Sequence, residues 1–274
     1  MPSSAPPPAQ PPRYVIGDIH GQLEALVRLL QTAGLIDARQ CWCGGHARLY
    51  LTGDFFDRGM DGVPAVALIM ALQQEAAAAG GQVEALLGNH DVMVLSVLRL
   101  GTAAQTSWGE TFAQVWLRNG GLPADLARLT PAQEAWLQAR PALVRAGDLL
   151  LMHADSHFYG HLGATVEEVN RTVASVLASD DPAAWEVLLE ALSTRYSFLS
   201  LQGGSPAEAR KLLDRFHARR IVHGHTPISY ITGRPPELVT EPYIYADGLC
   251  INVDGGLYLG GPGFVYSAPE AGEV

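Results

Sequence analysis

The chain has 274 residues and 48% hydrophobic content, enough for a sizeable core in one large domain or two small ones. Its formal charge of −10 at pH 7 excludes a protein that follows nucleic acid with a long basic surface, because such binding relies on many Lys and Arg contacts. A phosphorylated ligand would have to be held locally, which a bound cation can do inside an acidic chain.

The opening "MPSSAPPPAQPP" lacks the basic start and apolar stretch of a secretory signal, so residues 1–13 read as a disordered proline-rich tail before one domain over 14–274. "RYVIGDIHG" is an apolar run ending in polar residues, the pattern of a buried strand delivering side chains to a sheet's carboxyl edge. "LEALVRLLQTAG" follows with helical spacing and a glycine stop. In "CWCGGH", Cys41, Cys43 and His46 lack a fourth ligand, and Gly44-Gly45 reads as a hairpin turn rather than a zinc site. The three cysteines, Cys41, Cys43 and Cys250, form no even disulfide framework, which leads us to expect a cytoplasmic protein.

"ARLYLTGD" precedes the helical "VPAVALIMALQQEAAAAGG", and "QVEALLGNHD" precedes "VMVLSVLRL". Strand, polar tip and helix thus recur, which predicts a parallel sheet with crossover helices and a ligand beyond the strands' carboxyl ends. Residues 101–140 read as a helical insertion, its second helix marked by Thr130 as N-cap, Pro131 at the first position and Gln133 closing a capping box. Thr165 with Glu168, and Ser205 with Glu208, predict two further helices of the same signature. "DLLLMHAD" and "RRIVHGHT" are apolar runs ending in histidine, and the Gly- and Tyr-rich "YIYADGLCINVDGGLYLGGPGFVYS" predicts a run of antiparallel strands. The loop-like "DSHFYGHLGA", with His157 and His161, is expected to wall a groove. No apolar run of about eighteen residues reads as a membrane span.

Five segments end in metal-capable residues: Asp18 and His20; Asp54 and Asp57; Asn89, His90 and Asp91; His153 and Asp155; His223 and His225. Residues two apart on a strand point the same way, so Asp18 and His20 can bind one ion together. Imidazole, carboxylate and amide oxygen suit Mn, Fe or Zn, and the lack of thiolates argues against a structural zinc cage. One strand-end Asp or His is commonly a cap or a core residue, but five such segments in order are not explained that way.

"GDIHG", "GDFFDRG", "GNHD", the His of "LMHAD" and "GHT" together resemble the calcineurin-like metallophosphoesterase superfamily, especially its phosphoprotein phosphatase branch in bacteria, over residues 14 to about 260. The resemblance implies an α/β fold of two packed mixed β-sheets flanked by helices. It implies two divalent metals, with Mn first and Fe or Zn as alternatives. Asp18 and His20 would bind the first metal, Asp54 would bridge the two, and Asn89, His153 and His225 would complete the second. His223 competes with His225, lying two residues earlier on the same strand face. "GNHD" has Asp91 where the eukaryotic pattern has Glu, and "HAD" replaces His-Gly-Gly, which leaves the loop beside His153 undefined.

Two cations about 3.5–4 Å apart can share a hydroxide and neutralise a phosphate, so direct in-line attack by that hydroxide is expected. His90 is the expected general acid, held cationic and oriented by Asp57. Arg58 offers a planar fork for phosphate, with an ion pair to Asp57 or Asp61 as the bland alternative, and Asn89 is grouped with it on the substrate side. The resemblance implies a second arginine, either Arg195 or Arg171, and places Asp254 and Tyr258 on a late strand that could line the groove. The expected function is a metal-dependent phosphatase acting on phosphomonoesters of proteins. Its alternatives are a dinucleoside polyphosphate hydrolase and a non-catalytic phosphoprotein-binding scaffold. The partner is a phosphorylated substrate, without nucleic acid or membrane.

Overall fold

Side-chain alternation along the nine short strands of the described residues decides the architecture: β1 (Arg13–Ile16), β2 (Arg48–Leu51), β3 (Gln82–Ala85), β4 (Leu143–Ala146), β5 (Leu149–Met152), β6 (Arg220–His223), β7 (Tyr243–Tyr245), β8 (Cys250–Asn252) and β9 (Tyr266–Ala268). The structure is a computed structural model that describes residues 11–269. The first sheet runs β3-β2-β1-β9, the three early strands parallel and β9 antiparallel to β1. The second runs β4-β5-β6-β8-β7, parallel through β5, β6 and β8 and antiparallel at both edges.

The two sheets face each other. Val15 and Tyr50 from the first pack with Leu149, Leu151, Val222 and Ile251 from the second, while Ile16, Leu51, Leu150 and Ile221 point outward into a larger helix-covered core. This period-two division is what two stacked sheets require. The fold is therefore two packed mixed sheets flanked by helices, as the resemblance implied.

The helices are α1 (Leu23–Thr32), α2 (Gly62–Ala78), α3 (Asn89–Leu100), α4 (Phe112–Arg118), α5 (Pro123–Arg128), α6 (Pro131–Gln138), α7 (Tyr159–Leu162), α8 (Val166–Leu177), α9 (Pro182–Ser193), α10 (Pro206–Phe216) and α11 (Ile228–Thr232). α4 packs on α3, and α5 and α6 pack on α2, so the 101–140 stretch is helical and sits against the first sheet's helices. The α6 start is the one read from sequence, with Thr130 accepting from Gln133 N–H and Gln133 Oε1 accepting from Thr130 N–H. No helix among the described residues is long and apolar enough to cross a membrane.

Several expectations are corrected. Arg13, assigned to the tail, opens β1 and is buried, while residues 1–10 lie outside the described residues. The C-terminal strands do not form one antiparallel run, since β8 joins β6 in parallel and β9 crosses to the first sheet. Ser205 caps α10 through Ala207 N–H, and Glu208 pairs with Lys211 instead of closing a box. Glu168 likewise reaches Ala164 N–H rather than that of Thr165. The antiparallel bridge near "CWCGGH" joins Ile36 to Trp42, so the hairpin turn precedes Gly44-Gly45. α9 was missed, although Asp181 as N-cap and Pro182 at its first position carry a legible start signal.

Candidate metal centre

β1, β2 and β3 end just before Asp18, Asp54 and Asn89, and β5 and β6 end at or before His153 and His225. Parallel strands from two facing sheets thus release their last side chains at one shared rim. Close passage there demands glycine at two points: a Cβ on Gly224 would stand 2.2 Å from Asp18 Oδ1, and one on Gly88 would stand 2.1 Å from Asp54 Oδ1.

Two clusters form, His20–Asp54–His90 and Asp54–His153–His225, with Asp54 common to both. Asp54 Oδ2 lies 3.5 Å from His20 Nε2, and its Oδ1 lies 3.5 Å from His153 Nε2. Asn89 Oδ1 is 3.0 Å from the same His153 nitrogen. Asp18 Oδ2 is 3.9 Å from His20 Nε2, while Asp18 also accepts His225 N–H at 2.9 Å. All six expected ligands converge, and His223 does not join them.

The tautomers follow from carbonyls, which only accept. His20 Nδ1 faces Phe56 O at 2.9 Å, His153 Nδ1 faces Thr52 O at 2.9 Å, and His225 Nε2 faces Ser193 O at 2.9 Å. His20 and His153 therefore carry the proton on the outer nitrogen and turn a bare nitrogen inward, while at His225 Nε2 the Ser193 carbonyl competes with the Arg195 Nε–H donor. The bare His153 Nε2 stands 3.0 Å from Asn89 Oδ1, which only accepts, an arrangement of opposed lone pairs that a cation between them relieves.

Burial holds the imidazoles neutral. It pushes His153 down to about 3 and places His20 and His225 well below the ordinary value, with neighbouring imidazole and Arg charges adding to it. The carboxyls move the other way. Burial, then Asp254 and Asp54, raise Asp18, while burial and Asp91 raise Asp54. Asp254, which follows β8, is raised to about 6 by burial and keeps Oδ2 buried without a hydrogen-bond partner among the described residues. Neutral imidazoles, crowded carboxylates and an orphaned oxygen are the donor set that divalent cations fit.

Around this set sit the remaining expected residues. His90 Nδ1 is 2.7 Å from Asp57 Oδ2, and Trp116 Nε1 donates to both Asp57 oxygens at 2.9 and 3.0 Å. Asp57 is expected to hold His90 cationic, and the buried surroundings act against that charge. Burial, Arg58 and Arg195 hold His90 well below its ordinary value, and burial raises Asp57 to about 7 despite the Trp116 hydrogen bond. The 2.7 Å contact keeps the ring's orientation.

Arg58 makes no ion pair with Asp57 or Asp61. Its guanidinium lies 4.0 Å over the Tyr258 ring, with Nη1 2.8 Å from His20 Nε2 and Nη2 3.1 Å from His90 Nε2. Arg195 lies against the His225 ring, its Nε 3.0 Å from Nε2, whereas Arg171 is exposed on α8. A cleft of about 760 Å³ is lined by Arg58, Asn89, His90, Arg195 and His225 and by the exposed Trp108 and Val187. His157 and His161 do not line it; they border a separate, smaller hollow beside Glu208.

Sequence reasoning missed two supports. Trp116 lies in the stretch read only as a helical insertion, and nothing in its spacing names Asp57 as its partner. Asp91 accepts from the N–H groups of Asp54, Phe55 and Gly88, each at 2.9 Å, and so fixes the turn that carries the shared carboxylate.

A profile of the calcineurin-like phosphoesterase family matches residues 11–229. Shewanella-like protein phosphatase 2 of Arabidopsis thaliana is 39% identical over 85 residues, which is 31% of this chain and 22% of that protein. A symmetrical bis(5'-nucleosyl)-tetraphosphatase from an Enterobacter species is 30% identical over 177 residues, 61% of this chain and 51% of the relative. The match thus spans at most about half the length of these curated relatives. Among solved structures, the cold-active protein-tyrosine phosphatase of a psychrophilic Shewanella aligns with a TM-score of 0.70 at 24% identity, over 94% of this chain and 75% of that one. A protein serine/threonine phosphatase from Saccharomyces cerevisiae aligns with a TM-score of 0.60 at 16% identity, over 93% of this chain and 71% of that one. These structural likenesses show the shared fold. Profile and paired His/Asp clusters together point to a binuclear divalent-metal site. With the profile covering most of its length, this chain belongs to the calcineurin-like phosphoesterase family.

Proposed function

We propose that the protein is a metal-dependent phosphomonoesterase acting on phosphoproteins, cytoplasmic, with manganese at both metal positions and iron or zinc as alternatives. One observation carries the reading: two buried clusters share Asp54 and adjoin a cleft where Arg58 and Arg195 have no ion-pair partner among the described residues. Asp18, His20 and Asp54 would hold one cation, and Asp54, Asn89, His153 and His225 the other. When bound, such a pair supplies an acidified water and neutralises phosphate charge.

The chain's own groups would do the rest. Arg58 and Arg195 present planar donors to the non-bridging oxygens and fix the ester in line with its leaving group. A phosphate dianion beside Arg58 offsets the guanidinium charge that disfavours a second proton on His90. His90 can then take that proton and pass it from Nε2 to the leaving oxygen, while Asp57 and Trp116 keep the ring aligned.

A second reading, hydrolysis of dinucleoside polyphosphates, is favoured by the longer match to the tetraphosphatase relative. Turnover of a phosphopeptide, an aryl phosphate and diadenosine tetraphosphate in added manganese separates the two. The phosphopeptide should lead in kcat/KM, and preference for diadenosine tetraphosphate would overturn the first reading. Metal retention with no turnover of any of the three would leave only a scaffold that binds phosphoproteins.

A further inference from the structure

Asp155, Tyr245 and His223 are buried near the rim and outside the metal clusters. They form a chain. Asp155 Oδ2 accepts from Tyr245 Oη–H at 3.0 Å, and Tyr245 Oη is 2.8 Å from His223 Nε2. His223 is the last residue of β6, which anchors the far end of the chain. Such a chain is rigid because each member's freedom is removed by the next.

Its near end holds a strained turn. Asp155 Oδ1 accepts from Tyr196 N–H at 3.0 Å, and the Asp155 carbonyl accepts from Ser197 N–H at 3.2 Å. Tyr196 has φ +66°, a left-handed conformation that an aromatic residue keeps only where its surroundings impose it. Arg195 directly precedes it, beyond the end of α9 and in no regular element. The N–H groups of the two residues after Arg195 are therefore both held by one carboxylate-bearing residue, while Ser197 is tied further by Ser205 N–H to its carbonyl at 3.0 Å and by His157 N–H to its hydroxyl at 3.2 Å. This also accounts for "HAD" after β5: the third residue is the anchor.

We propose that Asp155, braced by Tyr245 and His223, is the positioning residue for Arg195, fixing where that guanidinium meets a phosphate. The proposal rests on the reading of Arg195 as a phosphate clamp. Asp155 touches neither the substrate nor the metal positions; it acts through the Tyr196 backbone.

The test measures inorganic phosphate affinity by calorimetry on manganese-loaded protein, with metal content checked, alongside steady-state kinetics. Asp155→Ala should weaken phosphate binding about tenfold, the lower range for a support behind a site residue. It should raise KM more than it lowers kcat. Asp155→Asn, which keeps an acceptor for Tyr196 N–H, should recover most of the loss. Tyr245→Phe removes one hydroxyl without disturbing packing and should weaken binding about threefold, the worth of one hydrogen bond. In an Arg195→Ala background, Asp155→Ala and Tyr245→Phe should cost nothing further, which a merely structural role would not produce. Unchanged phosphate affinity in Tyr245→Phe and in any folded Asp155→Ala protein, or losses fully additive with Arg195→Ala, overturns the proposal. A wild-type protein that binds phosphate but hydrolyses no ester overturns the hydrolase reading instead, and the affinity comparison still decides this one.

Discussion

His20, Asp54, Asp57, Arg58 and His225 are five of the ten non-glycine residues with positive φ among the described residues. Strain of about 1–3 kcal/mol at each such position persists only where surrounding bonds hold it, and here it aims side chains at one point. Asp54→Asn should therefore keep the turn, since Asn tolerates this backbone, yet remove the shared charge. Elemental analysis should show loss of both metals together with turnover. His90→Asn should retain both metals and lose about 10²–10⁴-fold in kcat on substrates with poor leaving groups. Wild-type rates in that variant would falsify the assigned proton donor. The buried carboxyls predict an unusual pH response in chelated protein. Asp57 and Asp91 are raised to about 7, and Asp18 and Asp54 are raised too, so the folded state holds protons that the unfolded chain has lost. Stability falls as pH rises through those values. The buried histidines act in the opposite sense, but only below the ordinary 6.5, where the unfolded chain gains protons. Above about pH 6.5 the histidines contribute nothing while the carboxyls still hold protons, so the Tm of chelated protein should drop from there until the carboxyls are ionised, near 7 for Asp57 and Asp91. Manganese should raise Tm more above that point than below it, because cations then displace no protons. A rising Tm for the chelated protein over that interval would contradict this.

At the scale of elements, α4 links the helical stretch to catalysis through Trp116. Trp116→Phe keeps the packing but strips Asp57 of its side-chain donor, so kcat should fall about 10–100-fold with metal content unchanged. Thr130→Ala at the α6 cap should cost about 1 kcal/mol in denaturant unfolding without touching KM. What could be read from sequence divides along these lines. The proposed ligands were legible because each follows an apolar strand, where period-two patterning and a glycine mark the exit. The Thr130 cap was legible because its signal is local. Trp116 meeting Asp57, Ser193 meeting His225 and Tyr258 lying under Arg58 were not, because those pairings depend on how separate helices and loops pack, and no local spacing encodes that.

Across the whole molecule, the first sheet contributes Asp18, His20, Asp54 and Asn89, and the second contributes His153 and His225. Cations at the rim would therefore tie the sheets together as well as serve chemistry. Metal present at a thousandfold over its dissociation constant should add about 4 kcal/mol, a Tm shift of about 10 °C in a domain of this size, read by thermal melts with and without chelator. The C-terminal strands were misread for a reason at this scale. β9 alternates like its neighbours, yet nothing in its own residues says which sheet it will join. It lies beside β1, whose first residue, Arg13, donates to the carbonyls of Ala146 and Pro269. The last strand thus covers the flank of the first. While a ribosome is still making this chain, β1 keeps an open edge until residues 266–268 emerge, and an open edge invites pairing with another nascent chain. Slow translation of the final segment would therefore favour aggregation, and a chaperone that shields β1 would be most useful in that interval.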